Sequence, residues 1–322
     1  MTFFQEFDEL AEKRFDDLKL EIGQQLQGLS QYFNGRGIQI SLNDSSDSGR
    51  LRYYDPASRT LYLSKTLNEG QKAYQMATQL ALLEYKDIID RLVQTGRFTE
   101  FTIEGTIKLA KIGLANYFAG ALLMPYQQFW KDAEASHYDI EWLGRRYSLG
   151  FEAICHRLST LQKPTQRGIP FFFLRVDKAG NISKRQSATD FHFSKIGGSC
   201  PLWKVHSAFD HLGEILTQLA EMPDGRIYFW VTRTVSSGFG HYGTPKKTFA
   251  IALGCDAQHA HRLIYSKGID ISAPEASTPI GAGCKVCPRN ECPQRAFPMA
   301  GRRLEVNTDV TGFSPYSLPD RD

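Results

Sequence analysis

The sequence predicts an α+β protein of two domains, the first helical and the second built around long strands. Apolar residues recur at helical spacing through residues 69–161, whereas IPFFFLRVD (169–177), GRIYFWVTRTV (225–235) and TFAIALGCD (248–256) are dense strand signals. The polar stretch QKPTQRG (162–168) lies between these regions, and a chain of 322 residues is long enough for two cores. A cysteine cluster, Cys284, Cys287 and Cys292, marks an irregular C-terminal segment.

Taken in order, residues 3–34 place Phe7, Leu10, Phe15, Leu18, Ile22, Leu26, Leu29 and Phe33 at helical spacing. This predicts one acidic amphipathic helix with no turn and second helix after it. GRGIQISLND reads as a turn and a short strand, and RLRYYDPASRTLYLSKTL (50–67) as a hairpin around Asp55-Pro56. Helices follow over 69–93, 103–120, 125–135, 139–146 and 150–161, with Asp139 capping the fourth. In the second half, KAGNISKR is a glycine turn carrying basic residues, a helix is expected over 203–219, and a glycine-rich loop at 237–243 separates the last two strands. The expected division is 1–49 as N-terminal helix and linker, 50–163 as the helical domain, 164–307 as the second domain and 308–322 as a flexible tail.

Composition narrows the function classes. The formal charge of +3 is too small to argue for nucleic acid by itself. No window approaches the ~20 apolar residues of a membrane span. The opening MTFFQEFDELAEKRF carries acidic residues where a secretory signal carries basic ones, so a cytoplasmic address is expected. In a reducing compartment, clustered cysteines read as metal ligands rather than disulfides.

The strongest chemical signal is CKVCPRNECPQRAFP (284–298). CxxC lets two thiolates face one centre, and the prolines favour an irregular backbone that can bring a third to it. Tetrahedral zinc and a cubane cluster both need a fourth ligand. Cys255 gives the pattern C-x28-C-x2-C-x4-C and is favoured; Cys200, in GGSCPLW, is the competitor. Cys155 sits among apolar residues and reads as a core thiol. A structural zinc site usually pairs two CxxC-like knuckles. With only one here, a [4Fe–4S] cluster is favoured and zinc is the alternative.

YQMATQLALLEY (74–85) and ANYFAGALLMP (115–125) resemble the motif helix and the following helix of ImmA/IrrE-like metallopeptidases. HExxH would place two His one helical turn apart with a Glu as general base. Here those positions hold Thr78, Gln79 and Leu82, and the later glutamate position holds Leu114. None of these can hold zinc or activate water, so the resemblance implies fold and not catalysis.

The motifs IPFFFLRVDKAGNISKRQSATDFHFSKIGGSCPLWKVHSAF (169–209), MPDGRIYFWVTRTV, ALGCDAQHAHRLIY and CKVCPRNECPQRAFP, with LANYFAGALLMPY before them, resemble the short-chain fatty acyl-CoA regulators over roughly residues 50–307. These are bacterial transcription factors of propionate and acetate metabolism. The resemblance implies a degenerate peptidase-like domain, a GAF-like α+β sensor domain, an acyl-CoA effector and a cysteine-held iron–sulfur site. It also implies an N-terminal helix-turn-helix, which the residues before 50 do not display. DNA contact is therefore expected only if a helix-turn-helix is supplied by a missing N-terminus or by a partner. A homo-oligomer with no membrane partner is expected.

An acyl-CoA site needs cationic donors for phosphate and an apolar slot for the acyl tail. Arg175, Lys184, Arg185 and Arg233 are the leading candidates, near Phe171, Phe173, Tyr228 and Trp230. Lys178, Lys246, Lys247, His241 and Tyr242 lie close by in sequence, while His192 and His206 read as satisfied polar residues. The rival readings are a redox-sensing regulator with no acyl-CoA ligand and an enzyme. Against the enzyme, no nucleophile–base pair stands in a recognisable motif.

Overall fold

The structure, a computed structural model, describes residues 3–43, 49–95, 104–187, 199–237, 242–243, 246–271, 273–290, 292–310 and 316. The chain forms two compact units, one containing residues 3–168 and the other built from 169–237 and 247 onwards.

The first unit opens with α1 (Gln5–Asp17) and α2 (Gln25–Gly35), not with a single helix. Between them Lys19 and Gly23 take positive φ, 50° and 86°, which no helix accommodates. The apolar spacing runs unbroken through this turn, so periodicity alone joined the two helices. A small sheet of order β1-β3-β2 follows: β1 (Gln39–Asn43) runs parallel to β3 (Thr60–Ser64), and β2 (Arg52–Asp55) forms a hairpin with β3. The Asp55 carboxylate closes the hairpin by accepting from the Ala57 N–H and the Ser58 hydroxyl.

Asn68 and Gln71 form a reciprocal capping box that starts α3 (Glu69–Glu84). The helix expected over 69–93 breaks at Tyr85 (φ −114°, ψ 24°) and resumes as α4 (Lys86–Thr95). α5 (Glu104–Leu123) is buried through its second half except at half-buried Asn116, and Pro125 then starts α6 (Tyr126–Ala135). Asp139 caps α7 (Ile140–Tyr147) through the Trp142 N–H. α8 (Phe151–Leu158) and a two-strand ribbon, β4 (Gln162–Lys163) with β5 (Gln166–Arg167), complete the unit. Among the described residues no single helix is long and apolar enough to cross a membrane.

The second unit is a six-stranded sheet of order β11-β8-β9-β10-β6-β7. Its strands are β6 (Phe172–Val176), β7 (Ile182–Ser187), β8 (Leu216–Glu221), β9 (Ile227–Ser237), β10 (Lys247–Asp256) and β11 (Ser277–Pro279). All neighbours are antiparallel except β11 and β8. One face, carrying Phe172, Leu174, Ala252 and Trp230, packs on Cys200, Trp203, Val205 and Ala208. Gly254 makes room for Trp230, since a Cβ there would fall 2.4 Å from the indole.

The helix expected over 203–219 does not form. The segment makes turns with a short 3₁₀ piece at Ser207–Phe209, Gly213 takes φ +81°, and Leu216 already begins β8. Buried Gln218 holds the segment down by accepting from the Lys204 N–H and donating to the Leu202 carbonyl. These tertiary hydrogen bonds, together with a sheet edge that needs pairing, override the local helical pattern.

Candidate functional site

In the first unit, α3 and α5 pack together across the positions that would hold a peptidase centre. Thr78 is buried, and its hydroxyl donates to the Tyr74 carbonyl at 2.8 Å and lies 3.3 Å from Asn116 Oδ1. The Tyr74 hydroxyl donates to the Asn116 carbonyl at 2.7 Å. Gln79 and Leu114 are buried and Leu82 is half-buried. The peptidase-like fold is thus degenerate, with local hydrogen bonds and apolar packing where ligands and a general base would stand.

In the second unit the thiols are distributed differently from the sequence expectation. Burial raises the pKa of Cys200, the Gly281 and Leu202 N–H groups oppose that rise, and the thiolates of Cys287 and Cys292 are close enough to add to it. Cys200 packs in one core cluster with Ile280, next to Gly281, which itself adjoins Cys287 Sγ, so Cys200 is the thiol brought to the C-terminal cluster. Cys255 is not. Burial pushes its thiol up, and the charges that act on it are those of Asp256 and Arg262 rather than other cysteines. Strand parity gives the reason. Ala252 and Gly254 face the layer that contains Cys200, so Cys255, at the next position along β10, points to the opposite face. Cys155 is fully buried in α8.

Among its described residues, the loop that carries Cys284, Cys287 and Cys292 has little regular structure beyond a 3₁₀ turn at Cys284–Val286. Two arginines hold it. Arg289 donates to the Ile280 and Glu221 carbonyls at 3.1 and 3.0 Å and to the Glu221 carboxylate at 3.2 Å. Arg295 donates to the Cys284 and Cys287 carbonyls, both at 3.2 Å. Among the described residues no three His, Cys, Asp or Glu side chains are grouped tightly enough to hold one metal ion.

The donor set nevertheless fits a thiophilic centre in three respects. The ligands offered are soft thiolates. Gly281 lets Cys287 Sγ lie against the backbone, since a Cβ there would fall 2.5 Å from the sulfur. The Arg295 Nε–H is buried with no hydrogen-bond partner among the described residues. The sequence reading missed Gly281, Arg289 and Arg295. TPIGAG was legible only as a loop, and arginines in a polar loop look like any solvated cation.

Three of the four cationic candidates share one face of the sheet. Arg175 pairs with Lys184 on β7 and with Ile251 on β10, and Ile251 pairs in turn with Arg233 on β9. Lys184, Arg175 and Arg233 thus form a row across four strands, on the face opposite Cys200. Arg185 is opposite Leu174 and belongs to the other face, where it is exposed. Aromatic rings underlie the row. The Arg175 guanidinium lies 4.7 Å from the Phe249 centroid, Lys247 Nζ 5.4 Å from the same ring, and Lys184 Nζ 5.3 Å from Phe173. Lys178, Tyr242 and Lys246 are exposed, and His192 and His241 lie outside the described residues. His206 is held neutral by burial, which lowers its pKa, and its Nε2 lies 2.9 Å from Ser199 Oγ.

Comparison with known proteins places both units. The family described as "Short-chain fatty acyl coenzyme A regulator, C-terminal" matches residues 160–316, and "IrrE N-terminal-like domain" matches 34–159. A Mycobacterium tuberculosis protein named HTH-type transcriptional regulator PrpR is 49% identical over 99% of this chain and 65% of its own length. Another from that organism, HTH-type transcriptional regulator RamB, is 53% identical over 87% of this chain and 59% of its own. A propionyl-CoA carboxylase regulator of Cereibacter sphaeroides is 44% identical over 81% of this chain and 55% of its own. The chain thus spans less than two thirds of the length of these curated relatives. A solved structure titled Mycobacterium tuberculosis transcriptional regulator superposes with a TM-score of 0.93 at 48% identity, covering 98% of this chain and 95% of the other. Agreement of sequence and fold through both units makes this chain a member of the short-chain fatty acyl-CoA regulator family.

Proposed function

We propose that this chain is the effector-responsive part of a transcription regulator of short-chain fatty acid metabolism, that its effector is an acyl-CoA, and that it carries a cysteine-held iron–sulfur cluster. The observation that carries the effector reading is the row Lys184–Arg175–Arg233, lying on one sheet face over Phe173 and Phe249. Cations aligned over rings suit a ligand with several phosphates and a flat base. DNA binding is a property of the whole regulator, as the relatives' names indicate for them.

The residues to hold a cluster are Cys200, Cys284, Cys287 and Cys292. When bound, a cluster would supply an oxygen-sensitive cross-link between the segment beginning at Cys200 and the C-terminal loop. The placing of Cys200 beside Gly281 and the Cys287 thiol also supports a second reading, in which the cluster itself is the input and no acyl-CoA binds.

Calorimetry of the anaerobically purified chain with propionyl-CoA, acetyl-CoA and CoA separates the two. The effector reading expects heat with the acyl-CoAs. Arg175→Ala or Arg233→Ala should weaken binding by about 1.5–3 kcal/mol, the range for hydrogen bonds to charged groups. Arg185→Ala, on the other face, should bind like wild type. No heat with any of these ligands removes the effector reading and leaves the redox one.

A further inference from the structure

Arginine has five N–H donors fixed in a plane, and the disposition of those of Arg295 is unusual. Nη1 donates to the Cys284 and Phe297 carbonyls, and Nη2 to the Cys287 and Arg289 carbonyls, so one guanidinium gathers four carbonyls of the cysteine loop. In a segment whose regular structure is one 3₁₀ turn, these bonds do the work that a ladder does elsewhere. Arg289, one of the four acceptors, is itself clamped to Glu221 at the end of β8 and to Ile280 after β11. Drawing the Cys284 and Cys287 carbonyls inward to one cation fixes the backbone from which both side chains project.

We infer that Arg295 is the positioning residue of the thiol site: it fixes the backbone of the loop of Cys284 and Cys287 before any metal is bound, so that a metal has only to draw the side chains together. The inference rests on the thiolate part of the proposed function, and its test separates the two. Lysine cannot replace arginine here, because a single ammonium has no planar fork to span four carbonyls.

The test uses the whole chain in metal-free form, with the variants Arg295→Met, Arg295→Lys and, as a charge control, Arg303→Met at an exposed position. Hydrogen exchange of the metal-free proteins reads the loop directly. Both Arg295 variants should exchange the 284–297 amides about tenfold faster or more, with β9 and β10 amides unchanged as an internal check of folding. Arg303→Met should match wild type. Cobalt(II) titration, followed through thiolate-to-metal charge-transfer absorbance, reads the consequence. Arg295→Met should weaken cobalt binding by about 10–100-fold, the usual cost of losing an outer-shell support, and Arg295→Lys should not restore it. Loop exchange like wild type in Arg295→Met overturns the inference, as does full rescue by lysine. If wild type takes up no cobalt, the thiolate-site reading falls, and the exchange experiment still decides whether Arg295 shapes the loop.

Discussion

At the scale of single residues, the proposal of Cys200 over Cys255 as fourth thiol turns on which face of a strand a side chain leaves from. Cys255 was attractive in sequence because it ends a strong strand at a spacing suited to a cluster. A one-residue shift along a strand reverses the face, and spacing carries no information about parity relative to a distant loop. Cys200 ranks as the competitor in sequence, since GGSCPLW has no regular period to place it, and the helix expected just after it does not form. Its position follows from packing, with Trp203, Val205 and Ala208 on the same sheet face. The expected outcome is specific. In anaerobically purified protein with roughly four irons per chain, Cys200→Ser should lose iron and Cys255→Ser should keep it. Iron analysis with a visible spectrum reads both. Bleaching by Cys255→Ser with retention in Cys200→Ser would return the fourth ligand to β10.

At the scale of elements, α1 shows what hydrophobic period captures and what it omits. The period located the buried stripe only in part: Phe7 is fully buried, Leu10, Phe15 and Leu18 are half-buried, and Ala11, which the period did not include, is fully buried. It could not show that Asp8, one of the acidic residues of this helix, is buried too. The Asp8 carboxylate accepts from Arg157 of α8 at 2.5 Å and from the Tyr117 hydroxyl of α5. Arg157 also donates from Nε to the Met124 carbonyl at 3.0 Å and from Nη1 to Thr160 Oγ1 at 3.2 Å. Burial and the neighbouring Asp8 carboxylate keep the Tyr117 phenol protonated, so it remains a donor. One ion pair thus ties α1 to helices more than a hundred residues away in sequence, a pairing that no local pattern encodes.

Removing one partner of such a pair leaves a buried charge without its counter-ion. Asp8→Ala should destabilise the first unit by about 3–5 kcal/mol, whereas replacing both residues with apolar ones of similar volume should cost much less. Denaturant unfolding of Asp8→Ala, Arg157→Met and the Asp8→Leu/Arg157→Met pair would test this. Strict additivity of the two single changes would show that the charges do not act as a pair. The β elements were easier to read. Alternating or continuous β-branched and aromatic runs marked β6, β9 and β10, each of which pairs over its length in the sheet. β8 was missed because Leu216 to Glu221 lacks that signature and owes its state to the strands on either side.

At the scale of the whole molecule, a peptidase-like fold persists without the residues that gave the fold its chemistry. That is possible because fold and catalysis draw on different atoms. The α3–α5 contact needs small and apolar side chains that bury well, and the ligand positions need only a few polar groups at its centre. If Thr78, Gln79, Leu82 and Leu114 stand at those positions, restoring them is a direct test of the correspondence. The variant Thr78→His, Gln79→Glu, Leu82→His, Leu114→Glu places two His one helical turn apart on α3 and a carboxylate on α5, two residues before Asn116. Without metal it should melt below wild type, since Thr78, Gln79 and Leu114 are buried and the new carboxylates would be desolvated. Zinc should reverse the loss, because a ligand that binds only the folded state stabilises it by about 2.7 kcal/mol at a hundredfold excess over its Kd. The comparison belongs in a Cys284→Ser/Cys287→Ser/Cys292→Ser background, which removes the thiols of the second unit: there the zinc gain should appear with the four restored ligands and be absent without them. A quadruple variant that folds but gains nothing from zinc would mean that these four positions do not converge as peptidase ligands do, and that the likeness ends at the backbone.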